Sequence, residues 1–394
     1  MKYRPFKLNG YLSLLFITIA LISCKNKDLE IEKQVEFDLV KQAFNNSPEF
    51  NILSDYKVFT NIDTVIQSNL EKCLLINLQN LKAAYGCVIV METSTGKIKA
   101  LVNLSKTDSF TYENKTNYAV SVAIEPGGLF HIYNLMQLLE DKFLDTNSIL
   151  KYDGKYLFNG NTITDNHILD LDSISLSKAF EISSKTVFAK EINKHYCKNP
   201  TSFQKNFHKL GFDKKLDIPF QNQGIPNVLT PLNNKWNNNS LVYQSMGYGI
   251  FLTPLQILTF YNAIANHGEM VKPLFLSKII NINGKEKVYK KEILQSSTCS
   301  PTTLKKLQAL LENSVNKGSS NCAYSSKIKI AGKQATVDIN SPLKNTNEYY
   351  SAFVGYFPIN KPKYTAMVLV YRPAEFYYGI SGKIFREMAD SFKY

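Results

Sequence analysis

Residues able to do chemistry are plentiful in this 394-residue chain, but few of their spacings are specific. Serine followed three residues later by lysine occurs at Ser94/Lys97, Ser175/Lys178, Ser202/Lys205 and Ser341/Lys344. A neutral serine attacks a carbonyl only when a matched base takes its proton. Lysine supplies all but three of the 46 basic residues, the exceptions being Arg4, Arg372 and Arg386, so such pairs arise by chance. Metal chemistry has less support. His195-x-Cys197 lacks the further ligands of a zinc site, and no two cysteines form a C-x-x-C. With Cys24 set aside for the reason below, Cys73, Cys87, Cys197, Cys299 and Cys322 read as small core residues. Neither a metal nor another cofactor is expected.

The formal charge of +13 is spread along the chain and carried by lysine. A reader of phosphate or guanine edges uses arginine forks, so nucleic-acid binding is excluded as a main role. The charge suits a solvated surface that meets anionic lipid headgroups or wall polymers. Lys2, Arg4 and Lys7 precede an apolar run from Tyr11 to Ile22, shorter than the ~18–20 residues that span a bilayer. The run ends in Leu21-Ile22-Ser23-Cys24, which resembles a bacterial lipobox, where the Cys24 thiol receives lipid. Residues 1–24 are therefore expected to be a lipoprotein signal peptide, and 25–57 a tether with one short helix. The expected location is the bacterial cell envelope, on the periplasmic or exterior side of a membrane held through Cys24.

From Val58 the texture is that of one folded domain, 58–394. Ile66 to Ala84 has helical apolar spacing, and two apolar runs around Ser94-Thr95-Gly96-Lys97 predict a β-hairpin. Glu125-Pro126-Gly127-Gly128 opens a helix whose apolar residues are Leu129, Ile132, Tyr133, Met136 and Leu139. Ser175 to Asn193 and Thr253 to Asn266 predict two more helices. Three strand-like runs follow, Lys327 to Ile339, Tyr349 to Pro358 and Lys363 to Tyr371, and then a helix from Ser381 to Phe392. An early hairpin, central helices and late strands make an α+β pattern.

This order of elements resembles the transpeptidase domain of class B penicillin-binding proteins, a fold shared with serine β-lactamases. The resemblance rests on Phe59-Thr60-Asn61-Ile62-Asp63, Val90 to Ala100, Gly247-Tyr248-Gly249-Ile250-Phe251-Leu252-Thr253-Pro254-Leu255-Gln256, and Ser351-Ala352-Phe353-Val354-Gly355-Tyr356-Phe357-Pro358. It implies a mainly antiparallel sheet with helices on both faces. It also implies serine acyl transfer through Ser-x-x-Lys, Ser-x-Asn and Lys-Thr-Gly motifs.

All three motifs are altered where the resemblance puts them. The first becomes Gly128-Leu129-Phe130-His131, with glycine for the nucleophile and histidine for lysine. The second becomes Ser183-Ser184-Lys185, and the third Lys333-Gln334-Ala335-Thr336. Only Ser183, Lys333 and Thr336 keep the family chemistry. Losing the nucleophile of a serine hydrolase costs on the order of 10⁶ in turnover, or ~8 kcal/mol of barrier. The expectation is an inactive relative that binds peptidoglycan stem peptides or a cell-wall synthesis protein. Its candidate ligand-binding residues are Ser183, Lys185, Lys333, Thr336 and His131, with Lys185 beside Lys333 making the cleft cationic. The competing reading is residual D,D-peptidase or transpeptidase activity through Ser183 or a His131-activated water.

Overall fold

The computed structural model describes residues 33–40, 56–108, 111–339, 348–375 and 377–392. The signal segment with Cys24, and the 25–57 tether apart from a helix at 33–40 and residues 56–57, lie outside the described residues.

The fold is built on a six-stranded antiparallel sheet. Its strands are Tyr85–Glu92 (β1), Ile98–Lys106 (β2), Tyr112–Glu113 (β3), Ala331–Asp338 (β4), Tyr349–Phe357 (β5) and Tyr364–Tyr371 (β6). Their spatial order is β4-β5-β6-β1-β2-β3, so β4 is an edge. Side chains alternate across a strand, and here both alternating sets are apolar. Cys87, Ile89 and Met91 of β1 enter one apolar cluster, while Val88 and Val90 enter the other. Likewise Ala352, Val354 and Tyr356 of β5 face the first cluster, and Phe353 and Phe357 the second. A sheet that is apolar on both faces needs a helical layer on each.

The principal helices are Thr64–Leu81 (α1), His131–Glu140 (α2), Lys185–Tyr196 (α3), Pro254–Ala265 (α4), Pro301–Lys317 (α5) and Ile380–Asp390 (α6). One face is covered by α1, through Leu70, Leu74 and Leu78, and by α6, through Ile384, Phe385 and Met388. The opposite face carries α2 and α4, both buried almost all round, as core helices are. Thr253 caps α4 by accepting from the Gln256 amide, while Gln256 Oε1 accepts from the Thr253 amide at 2.9 Å.

Two of the longer helical elements differ from the sequence reading. The stretch from Ser175 to Asn193 is not one helix: Leu176–Glu181 ends, Ser183 takes φ +59°, and α3 begins at Lys185. The break is made by capping. The Ser184 hydroxyl accepts from the Val187 amide and donates to Asp165 at 2.5 Å, and Asp165 also accepts from the Thr186 amide at 2.9 Å. The second difference is α5, which the sequence reading missed. Ser300-Pro301 starts it, and Leu304, Leu307, Leu311 and Val315 form its buried stripe.

What positions the head of α2 is a close backbone approach. A 3₁₀ turn, Gly127–Phe130, leads into the helix, and the Gly127 amide donates to the Gly247 carbonyl at 3.1 Å. Gly247 has φ +82°, and a Cβ there would lie 2.2 Å from the Gly127 oxygen. Gly247→Ala therefore meets both the left-handed penalty of ~1–2 kcal/mol and a backbone clash. The expected loss in urea unfolding is at least ~2 kcal/mol, and an unchanged midpoint would refute the close-approach argument.

Candidate active-site cleft

The positions where the resemblance puts the three motifs converge on one cleft of about 80 Å³. Gly128 and His131 come from the head of α2, Ser183 and Lys185 from the turn into α3, and Gln334, Ala335 and Thr336 from edge strand β4. Lys333 is the exception. It is fully buried beneath the cleft and does not line it. The paired lysines expected from the sequence are thus split by depth: Lys185 is half-buried at the cleft, and Lys333 lies under the floor.

Gly128 has no side chain, and the space it leaves is partly used by Ser183. A Cβ built on Gly128 would lie 3.1 Å from Ser183 Oγ and 3.8 Å from the Ala335 methyl. Ser183 Oγ lies 3.4 Å from His131 Nδ1, a long contact. His131 is 2 % exposed and packs 4.6 Å from the Phe188 ring, with its Nε2 unpartnered. Burial, followed by the positive charges of Lys333 and Lys185, holds its pKa well below the ordinary histidine range. The imidazole is therefore neutral, but among the described residues no carboxylate orients it as in a serine-protease triad.

Lys185 and Asp338 are the charged groups that the cleft presents. Burial lowers the Lys185 pKa, opposed by Asp165 and Asp338, and Lys185 makes no ion pair within 4 Å among the described residues. Thr336 Oγ1 is buried without a partner. Gln334, at the position where the family motif has threonine, points away from chemistry. Its amide donates to Ser351 Oγ at 2.8 Å, and its oxygen accepts from Ser381 Oγ and the Gly382 amide, tying β4 to β5 and α6.

Beneath the floor, Lys333 Nζ lies 3.1 Å from Ser319 Oγ and 5.4 Å from the centre of the Phe180 ring. No carboxylate pairs with it among the described residues, and burial drives its pKa down to about 7. Sequence reasoning missed Asn166, His167, Tyr248, Ser319, Asp338 and Tyr378, which also line the cleft. Apart from Asp338 at the end of β4, they arrive from separate loops, and only the family segment Gly247-Tyr248-Gly249 carried a signal for any of them.

The penicillin binding protein transpeptidase domain matches residues 86–390. The chain is 24 % identical to the peptidoglycan D,D-transpeptidase FtsI of Buchnera aphidicola (strain Bp), over 90 % of this chain and 62 % of that protein. Against the Escherichia coli K12 protein of the same name the identity is 23 %, over 84 % and 56 %. The chain thus spans about 60 % of the length of such relatives. Its fold is similar to that of a peptidoglycan glycosyltransferase from Burkholderia ambifaria, with TM-score 0.70, 22 % identity and coverage of 84 % of this chain and 95 % of that one. It is also similar to penicillin-binding protein 3 of Mycobacterium tuberculosis complexed with aztreonam, with TM-score 0.73, 18 % identity and coverage of 85 % and 78 %.

Burying Lys333 has a pH signature. Its folded pKa lies below the unfolded value, so the unfolded chain binds the extra proton between about pH 7 and pH 10.5. The destabilisation is complete below that window and is relieved as pH rises through it. Lys333→Met removes the group, so wild type should gain on the variant up to about tenfold in folding equilibrium constant per pH unit across the window. Parallel denaturation profiles for the two proteins from pH 7 to 10 would show that Lys333 is not buried as described.

Proposed function

The chain belongs to the penicillin-binding protein transpeptidase domain family, and from that premise we propose that it is a cell-envelope lipoprotein whose cleft binds peptidoglycan stem peptides, or a wall-synthesis partner, without forming the family's acyl-enzyme. The observation that carries this reading is Gly128 at the head of α2: a residue with no side-chain atom cannot hold an ester. A nucleophile must be matched to a base, and His131 is buried, neutral and, among the described residues, without an orienting carboxylate. Lys185 supports the binding role: it makes no ion pair within 4 Å among the described residues, and with Asp338 on the same wall it offers a carboxylate its cation. Ser183, Thr336 and His131 are the polar groups placed to complete that contact, with Lys333 acting from beneath. Gly128, Gln334 and Ala335 mark the positions where the family chemistry is lost.

A second reading has one observation in its favour. Ser183 Oγ is close both to the vacant Gly128 side-chain position and to His131, the arrangement a residual D,D-peptidase would use, and the same imidazole is the base a water mechanism needs. A pentapeptide ending in D-Ala-D-Ala separates the two readings. Saturable binding without D-alanine release, weakened tenfold or more by Lys185→Glu, is the expected result. D-alanine release by the wild type would overturn the binding role, and its loss in Ser183→Ala would establish the peptidase. Domain boundaries at 24 and 58 and lipid on Cys24 belong to the same proposal, supported by the Leu21-Ile22-Ser23-Cys24 sequence. Palmitate incorporated by cells expressing the chain should be abolished by Cys24→Ala, and label retained by that variant would remove the anchor.

A further inference from the structure

We propose that Ser319 and Lys333 form a serine–lysine nucleophile pair, separate from the Gly128 position, that opens carboxylate-bearing esters. The proposal starts from what surrounds the Lys333 amine. It is fully buried, its side-chain hydrogen-bond partner is Ser319 Oγ at 3.1 Å, and its other near neighbour is the face of Phe180. An ammonium in that setting lacks a counter-ion, whereas a neutral amine is satisfied by accepting the Ser319 hydroxyl proton. The titratable groups acting on it are the Cys322 thiol and the His131 imidazole, and neither is a carboxylate. A pKa near 7 keeps much of the amine unprotonated at neutral pH.

Ser319 is suited to the other half of the pair. It is half-buried and lines the same cleft as Lys185. Its backbone is held from both sides: its amide donates to the Glu181 carbonyl at 2.7 Å, and its carbonyl accepts from the Tyr378 hydroxyl at 2.8 Å. The preceding Gly318 packs so closely that a Cβ would lie 2.6 Å from the Glu181 oxygen. A fixed hydroxyl at a cleft wall with a buried amine behind it satisfies the nucleophile-and-base geometry of covalent catalysis.

In the reaction, Ser319 Oγ bonds to the ester carbonyl carbon as its proton passes to Lys333 Nζ. The alcohol C–O bond then breaks, and the leaving oxygen takes that proton. Water attacks the new ester by the same relay in reverse, releasing the acid and restoring Ser319. Esters are the substrate class because an alcohol leaves more readily than an amine. The carboxylate is specified by Lys185. This goes beyond the binding role above and does not depend on it, since the D-alanyl amide bond is not its substrate.

Mono-(4-nitrophenyl) succinate supplies both features. The full chain should give a burst of nitrophenolate and a single succinyl adduct mapped to Ser319 by tandem mass spectrometry. The acylation rate should rise with pH to a plateau, with a midpoint near 7. Ser319→Ala should abolish the adduct, and Lys333→Met should slow acylation by ~10²–10⁴-fold while the variant still unfolds cooperatively. Absence of an adduct from the wild type, an adduct on Ser183 instead, or a pH-independent rate would each overturn the pair.

Discussion

The site depends on a place where two backbones touch. Gly127 and Gly247 approach closely enough that neither accommodates a side chain: a Cβ on Gly127 would lie 2.4 Å from Val337, and one on Gly247 would strike Gly127 itself. Both residues sit at positive φ, and the amide-to-carbonyl bond between them fixes where the first turn of α2 begins. Because α2 is buried along nearly its whole length, its axis is set by the core. With both axis and start fixed, residues 128 and 131 are delivered beside edge strand β4 whatever their side chains are. The scaffold thereby fixes where these positions lie independently of the side chains they carry.

The consequences of those changes are electrostatic as well as steric. His131 sits in the same buried region as Lys333 and Lys185, and both their charges oppose its protonation. Lys333 in turn has no carboxylate among the described residues to offset its burial. The interior below the cleft therefore favours uncharged nitrogen, and the cation that remains accessible is Lys185. A neutral base and a surface cation are different tools: the first accepts protons, and the second attracts anions.

Polar residues at former motif positions have also been absorbed into the architecture. Gln334 connects two strands and a helix through a buried network, so Gln334→Thr would remove the side-chain acceptor of the Gly382 amide, while the Ser351 and Ser381 hydroxyls would still bond each other. Ser184 and Asp165 have become the capping apparatus of α3. The break they create gives Ser183 its left-handed backbone, a conformation that holds its hydroxyl toward the Gly128 gap.

Much of this was legible in the residues alone. Apolar runs bounded by turns located β1, β2, β5 and β6, and helical apolar spacing located α1, α2, α4 and α6, because such patterns reflect what is buried. The Glu125-Pro126-Gly127-Gly128 start and the Thr253-Pro254 cap are local signals, and they mark the heads of the two core helices. Tertiary structure alone decided depth and neighbours. Sequence put Lys333 and Lys185 side by side as cleft charges, whereas the fold buries one under Phe180 and leaves the other at the cleft. Ser319 carried no signal, because it meets Lys333 only when the loop after α5 packs across β4. Spacing along a chain encodes local geometry, but charge state and contact depend on dielectric and on partners far away in sequence.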